Sequence, residues 1–252
     1  MQSACRQKVQ RAREVQSEKG NISLVKKSAG FIYKATLRKV FPKSGYYTKA
    51  EVKVRYRKPL DSIVPGIGYS DEPNHEYALV SELRKRVEPG LKICVVGAGS
   101  GTTSVVAANQ TTEAGSVTAF EGSMRRVKQA QNTINLNGVD QRCEVRHAIV
   151  GPAVRLHSLN EEGASPREVS PKELPDCDVL ELDCEGAEKI ILEEMEIQPK
   201  VIIVETHPEL DSEPEHISKI LADQGYSIVN KIERHQVPVL TAINKTKQPA
   251  NS

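Results

Sequence analysis

The stretch VVGAGSGTTS, residues 95–104, decides the fold. An apolar run, LKICVV over 91–96, feeds into Gly97, Gly99 and Gly101 and then into a helical pattern through about Thr111. Glycines let the backbone turn tightly and approach a ligand closely. The helix that follows offers unpaired N–H groups to a negatively polarised group. A strand, a glycine turn and a helix in this order open a doubly wound α/β domain. A dinucleotide fingerprint needs its last glycine at position 102, where Thr102 stands.

Working outward, short apolar runs at 116–121 (SVTAFE), 142–149, 177–183 and 200–206 read as strands. Helical patterns at 123–137, 186–196 and 213–225 separate them, and 226–231 with 237–243 suits a terminal antiparallel pair. Strands alternating with helices predict a mostly parallel, seven-stranded-type sheet covered on both faces. The polar stretch 151–176 carries no predicted element. Upstream, 50–57 (AEVKVRYR) alternates like a half-buried strand, and a helix is expected over 73–88 with Pro73 and Asn74 at its start.

The net charge of +2 hides an asymmetry. Residues 1–58 hold 16 Lys or Arg against three acids, whereas the remainder holds 19 against 30. Within this basic head, residues 22–41 read as a basic amphipathic helix. Such a head suits RNA, an anionic membrane surface or the chain's own acidic body. The expected organisation is a basic N-terminal extension over 1–60, one α/β domain over 61–245 and a polar tail over 246–252. Aromatic residues make up only 4% of the chain and Trp is absent, which weighs against reading bases by stacking. The N-terminus lacks the apolar core of a signal peptide and no run is long enough to span a bilayer, so a cytoplasmic protein, in peripheral contact with a membrane at most, is the expectation. The five cysteines are scattered with no CxxC pair, which argues against a zinc or redox site.

Candidate site residues follow from strand ends, because ligands of open α/β sheets bind beyond the C-terminal ends of the strands. Glu121 ends the second strand and is placed to accept hydrogen bonds from both hydroxyls of a ribose. The G-x-G-x-G spacing is the one associated with S-adenosylmethionine. The cofactor set is therefore Gly97, Ala98, Gly99, Gly101, Glu121 and Gly122, with Ala148 on the third strand and Asp183 on the fourth. DVLELDCEGAE, residues 178–188, carries Asp183 and Glu185 into the crevice, and VIIVETH ends with Glu205, Thr206 and His207. His207, Asp183 and Glu185 are the candidate bases for a hydroxyl proton. Alternatively, the acids hold a divalent cation that orients a substrate diol. Glu188 reads as a solvated helix residue or as a charge at a helix N-terminus.

DVLELDCEGAEKIIL, followed by the strand VIIVETH, resembles the FkbM-type methyltransferases over about residues 65–232. The D-x-E-G-A-E element and the EGS after the second strand carry the resemblance, and the whole chain is similar to archaeal members. That resemblance implies a class I methyltransferase fold and S-adenosylmethionine-dependent O-methylation of a hydroxyl on a sugar, glycan or other small acceptor. It also implies a cofactor role for Gly97, Gly99, Gly101 and Glu121 and a site role for Asp183 and Glu185. Two rivals stand beside it: an RNA methyltransferase that uses the basic head, and a non-enzymatic membrane-surface or scaffold protein with a vestigial cofactor fold.

Overall fold

The computed structural model describes residues 46–55, 71–151, 165–233 and 237–247. The amphipathic helix expected at 22–41, the boundary expected near 58–70 and the end of the polar tail lie outside them. The chain divides into two compact units, residues 1–47 with 55–71, and residues 48–54 with 72–252. Of the first unit only Tyr46, Tyr47, Arg55 and Asp71 are described; the second is the α/β body. Among the described residues no helix is long and apolar enough to cross a membrane.

Strands β1 (Tyr46–Lys49) and β2 (Val52–Arg55) form a two-stranded sheet. Strand β2 starts two residues later than expected, because Ala50 and Glu51 turn with φ of 47° and 72°. The body then runs α1 (Tyr77–Arg86), β3 (Lys92–Val96), α2 (Thr102–Thr111), β4 (Ser116–Glu121), α3 (Met124–Leu136) and β5 (Cys143–Val150). It continues with β6 (Arg167–Val169), β7 (Val179–Leu182), α4 (Glu188–Glu194), β8 (Val201–Glu205), α5 (Pro214–Asp223), β9 (Tyr226–Ile232) and β10 (Val239–Asn244). The expected start of α1 moves from Pro73 to Tyr77, since residues 73–76 form turns and Glu76 is left-handed, with φ 45°.

The sheet has eight strands in the order β6-β5-β4-β3-β7-β8-β10-β9. All neighbours from β6 through β8 are parallel, and β10 runs antiparallel to both β8 and β9. The added strand, β6, comes from the polar stretch. It is a three-residue edge strand with only Val169 buried, so it pairs through its backbone and needs no apolar pattern. From β3 the chain winds outward to β6 and then returns to β7 on the other side of β3. The crevice at this reversal, beyond the ends of β3 and β7, is where such sheets bind ligands.

Side chains alternate across the sheet. Val96, Phe120, Leu182, Val204 and Leu240 share one buried cluster with Ile191 and Leu192 of α4 and Ile217 and Leu221 of α5. The opposite parity (Ile93, Val95, Val117, Ala119, Val179 and Ile203) is equally buried and faces the side where α1, α2 and α3 pack. Burial on both faces explains why the central strands read as continuous apolar runs.

Candidate active site

The glycine turn does three separate jobs. Gly97 has φ 97°, and a Cβ there would stand 1.7 Å from the Asp183 carbonyl oxygen, so this glycine lets the β3 and β7 loops touch. Gly101, φ 82°, lies against the backbone of Ala130 on α3, where a Cβ would come within 2.9 Å. Gly99 alone faces open space, with nothing within 4 Å of a Cβ, and is the one that leaves room for a ligand. The Gly97 and Ala98 amides both donate to the Phe120 carbonyl at 3.0 Å, which fastens the turn to β4.

Glu121 is 5% exposed. Its Oε2 accepts the Gly99 amide at 2.9 Å and its Oε1 accepts the Ser123 amide at 2.8 Å. Each carboxylate oxygen retains a second lone pair for ribose hydroxyls. Gly122 is held by its carbonyl, which accepts from His147 Nε2 at 3.0 Å; sequence reasoning missed this positioning histidine. Ala148 is buried in the core cluster against the sheet.

The facing bank is assembled from the two connections that follow β7 and β8. Asp183 follows β7 and its amide donates to Val96 at 2.9 Å. Glu205 ends β8. His207 opens the turn Pro208–Leu210, and its carbonyl accepts the Leu210 amide at 2.8 Å. Gly186, φ 104°, allows the β7 loop to lie against Leu210, where a Cβ would be only 2.9 Å away. Glu185 does not join this group. Its own φ is 52°, and its carboxylate turns toward Arg126 on α3, 3.8 Å away.

Glu188 opens α4, as a charge at the helix N-terminus would, but it is fully buried and not solvated. Its Oε1 accepts the Cys184 amide at 3.1 Å and His207 Nδ1 at 3.0 Å, and its Oε2 accepts the Gly186 amide at 2.9 Å. The signal was present in the sequence: Glu188 stands three and four residues before the buried Ile191 and Leu192, on the inward stripe of α4. Burial disfavours the Glu188 carboxylate, yet the His207 contact and these amides hold its pKa below the usual range.

His207 Nε2 faces Asp183 Oδ1 at 3.7 Å and Glu205 Oε1 at 3.8 Å. Burial works against the imidazolium, but Glu188 and the two facing carboxylates outweigh it and push the pKa up to about 9. Burial, together with the charges of Glu205 and Glu76, raises the Asp183 carboxyl well above the ordinary range. Glu205 is also raised by burial, against the pull of His207. Burial likewise pushes up the Cys184 thiol, which leaves it a poor nucleophile.

A pocket of about 500 Å³ opens beside Glu205, and its wall includes Glu72, His75, Glu76, Tyr77 and Val237. His75 is clamped between Glu72 at 3.1 Å and Glu76 at 3.0 Å. The pocket is therefore rimmed by carboxylates.

No protein-family profile and no curated protein matches this sequence. Among solved structures, it is similar to precorrin-6y C5,15-methyltransferase from Geobacter metallireducens GS-15, with 19% identity over 69% of this chain and 89% of that one, at a TM-score of 0.49. It is similar to the fibrillarin pre-rRNA processing protein of Methanococcus jannaschii, with 18% identity over 63% and 68% of the two chains, at 0.45. The B. subtilis m1A22 tRNA methyltransferase TrmK shares 14% identity over 66% of this chain, at 0.44, and the present chain spans 64% of its length. What those proteins methylate is a property of those proteins. The mostly parallel sheet with helices on both faces is a doubly wound α/β fold.

Proposed function

We propose that the chain is an S-adenosylmethionine-dependent methyltransferase whose acceptor is a hydroxyl group on a sugar, glycan or similar small molecule. The observation that carries this reading is the doubly braced Glu121 carboxylate beside the open space at Gly99. Gly99 and Glu121 would hold the cofactor, with Gly97 and Gly101 setting the turn and Ala98 and Gly122 flanking the carboxylate. S-adenosylmethionine supplies an electrophilic methyl group, and the chain's own part is to orient the acceptor and take up its proton. That proton would pass to the cluster of Asp183, Glu205 and His207, whose polar atoms lie within 4.8 Å of one another.

The carboxylate-rimmed pocket favours a neutral, hydroxyl-bearing acceptor and repels a polyanion, which weighs against RNA at this mouth. Most of the basic head, residues 1–45 and 56–58, on which the RNA and membrane readings rest, lies outside the described residues.

Calorimetric titration with S-adenosylmethionine, and separately with NAD, tests the reading. S-adenosylmethionine is expected to bind at micromolar strength and NAD not at all. Glu121→Gln keeps the shape but removes a charge and an acceptor, and is expected to weaken cofactor binding about tenfold. Wild-type affinity in that variant would refute the assignment.

A further inference from the structure

We propose that Asp183, Glu205 and His207 form a binding site for a divalent cation, which takes its remaining ligands from acceptor oxygens in the adjoining pocket. One ligand atom from each of the three residues lies within 4.8 Å of the others. The two His207–carboxylate distances, 3.7 and 3.8 Å, are too long for hydrogen bonds. They do suit two atoms on one ion. Ligands bound at about 2.1 Å stand about 3 Å apart at right angles and about 4.2 Å apart when opposite.

Three further observations point the same way. His207 is 8% exposed, and Nδ1 is engaged by Glu188, so Nε2 is the nitrogen turned toward the carboxylates. A carboxylate on the far nitrogen is the usual device for fixing the tautomer and orientation of a metal-binding histidine. Glu181, 1% exposed, sits two residues before Asp183 on the same face of β7, and neither of its oxygens has a hydrogen-bond partner among the described residues. The nearby Thr103 hydroxyl eases its charged form only in part, and Asp183 is the strongest of the charges acting on it. Glu76 acts electrostatically on Asp183 and Glu205 from the pocket wall. Three carboxyl groups (Asp183, Glu188 and Glu205) thus face one imidazole, Glu76 acts on two of them and Asp183 acts on Glu181, a concentration of acids that a cation offsets.

Three protein ligands leave open positions on the ion, and Glu205 also lines the pocket. The acceptor class that fits is one with two neighbouring oxygens, such as a vicinal diol, which chelates the ion and has its hydroxyl acidified by it. This ligand set replaces the Asp183–Glu185 pair suggested by the sequence. The role toward the acceptor rests on the methyl-transfer reading; the cation site does not.

The test is titration of chelator-treated full-length protein with Mn²⁺, followed by calorimetry and electron spin resonance, with S-adenosylmethionine titrated into the same samples. One Mn²⁺ per chain is expected, with spin-echo modulation from one imidazole nitrogen. Glu205→Gln, partly exposed at the pocket rim, and His207→Gln should each weaken Mn²⁺ about tenfold or more while cofactor affinity stays within about threefold. His207→Gln should also lose the nitrogen modulation, and Glu205→Gln should keep it. In the positioning variant Glu188→Gln, the modulation should persist with altered coupling. Glu185→Gln should bind Mn²⁺ like the wild type. A wild type that retains no Mn²⁺, or Mn²⁺ binding that is unchanged in both ligand variants, overturns the cation site. Failure of S-adenosylmethionine to bind counts separately, against the methyl-transfer reading.

Discussion

Glu121 and Glu188 are both buried acids that accept two backbone amides each, yet they brace opposite banks of the crevice in different ways. Glu121 takes its amides from two loops next to its own strand, and beside it the turn at Gly99 opens to solvent-sized space. Glu188 gives its remaining acceptor capacity to His207, nineteen residues away, and no part of it is exposed. The glycine–carboxylate bank is thus a local construction with open space at Gly99. The acid–histidine bank is a long-range assembly whose own members satisfy Glu188 and leave Nε2 of His207 for what lies beyond. The same chemistry, a carboxylate on backbone amides, braces a turn beside open space in one bank and positions a histidine in the other.

The largest expected effect follows from Glu188. Replacing it with Ala strands the His207 ring and two amides in a buried site, and a loss of about 3–5 kcal/mol in urea unfolding is expected. A loss under about 1 kcal/mol would mean that the acid–histidine bank does not depend on this brace. Next comes the seam between the banks. Gly97→Ala drives a Cβ into the Asp183 backbone and should cost about 3 kcal/mol. Gly99→Ala meets no atoms and pays only for its left-handed φ of 54°, about 1 kcal/mol, although it intrudes on ligand space. Equal stability losses at the two glycines would break the distinction between a packing glycine and a ligand glycine.

The smallest effect lies at the far end of the sheet from both banks. Asp178 accepts the Lys92 amide at 2.9 Å and pairs with Lys200 at 3.0 Å. Burial would raise its pKa, but the Lys92 amide and the Lys200 charge hold it below the usual value. A depressed folded pKa means that this stabilisation is present above the unfolded value near 4 and is lost as pH falls through the folded value. Asp178→Asn should therefore cost about 1 kcal/mol at pH 7 and progressively less in acid, in unfolding experiments across pH 3–7. A cost that does not change with pH would assign Asp178 a role in shape and not in charge.

The glycine–carboxylate turn was legible because its determinants are contiguous. A strand, a glycine turn and a helix occupy residues 92–111, and the acid sits at the very end of the next strand. Backbone geometry dictates those residue types locally, so they leave a local pattern. The polar stretch hid β6, because an edge strand of three residues needs only its backbone to pair. On the other bank, Asp183 and His207 could be read from strand ends, but the rotation of Glu185 toward Arg126 could not, since it depends on a left-handed backbone and a neighbouring helix.

By itself, then, the amino-acid sequence determined the order of strands and helices, the parallel core and the glycine–carboxylate turn, all of which follow from periodicity and from conformations that only glycine adopts readily. Tertiary structure alone decided which of the acids converge. Glu76, Glu181, Asp183, Glu188 and Glu205 are spread over 130 residues, and their roles follow from burial and from distances of 3–4 Å that arise only once three loops have packed against one another. Side-chain electrostatics depend on those separations, and no one-dimensional spacing encodes them.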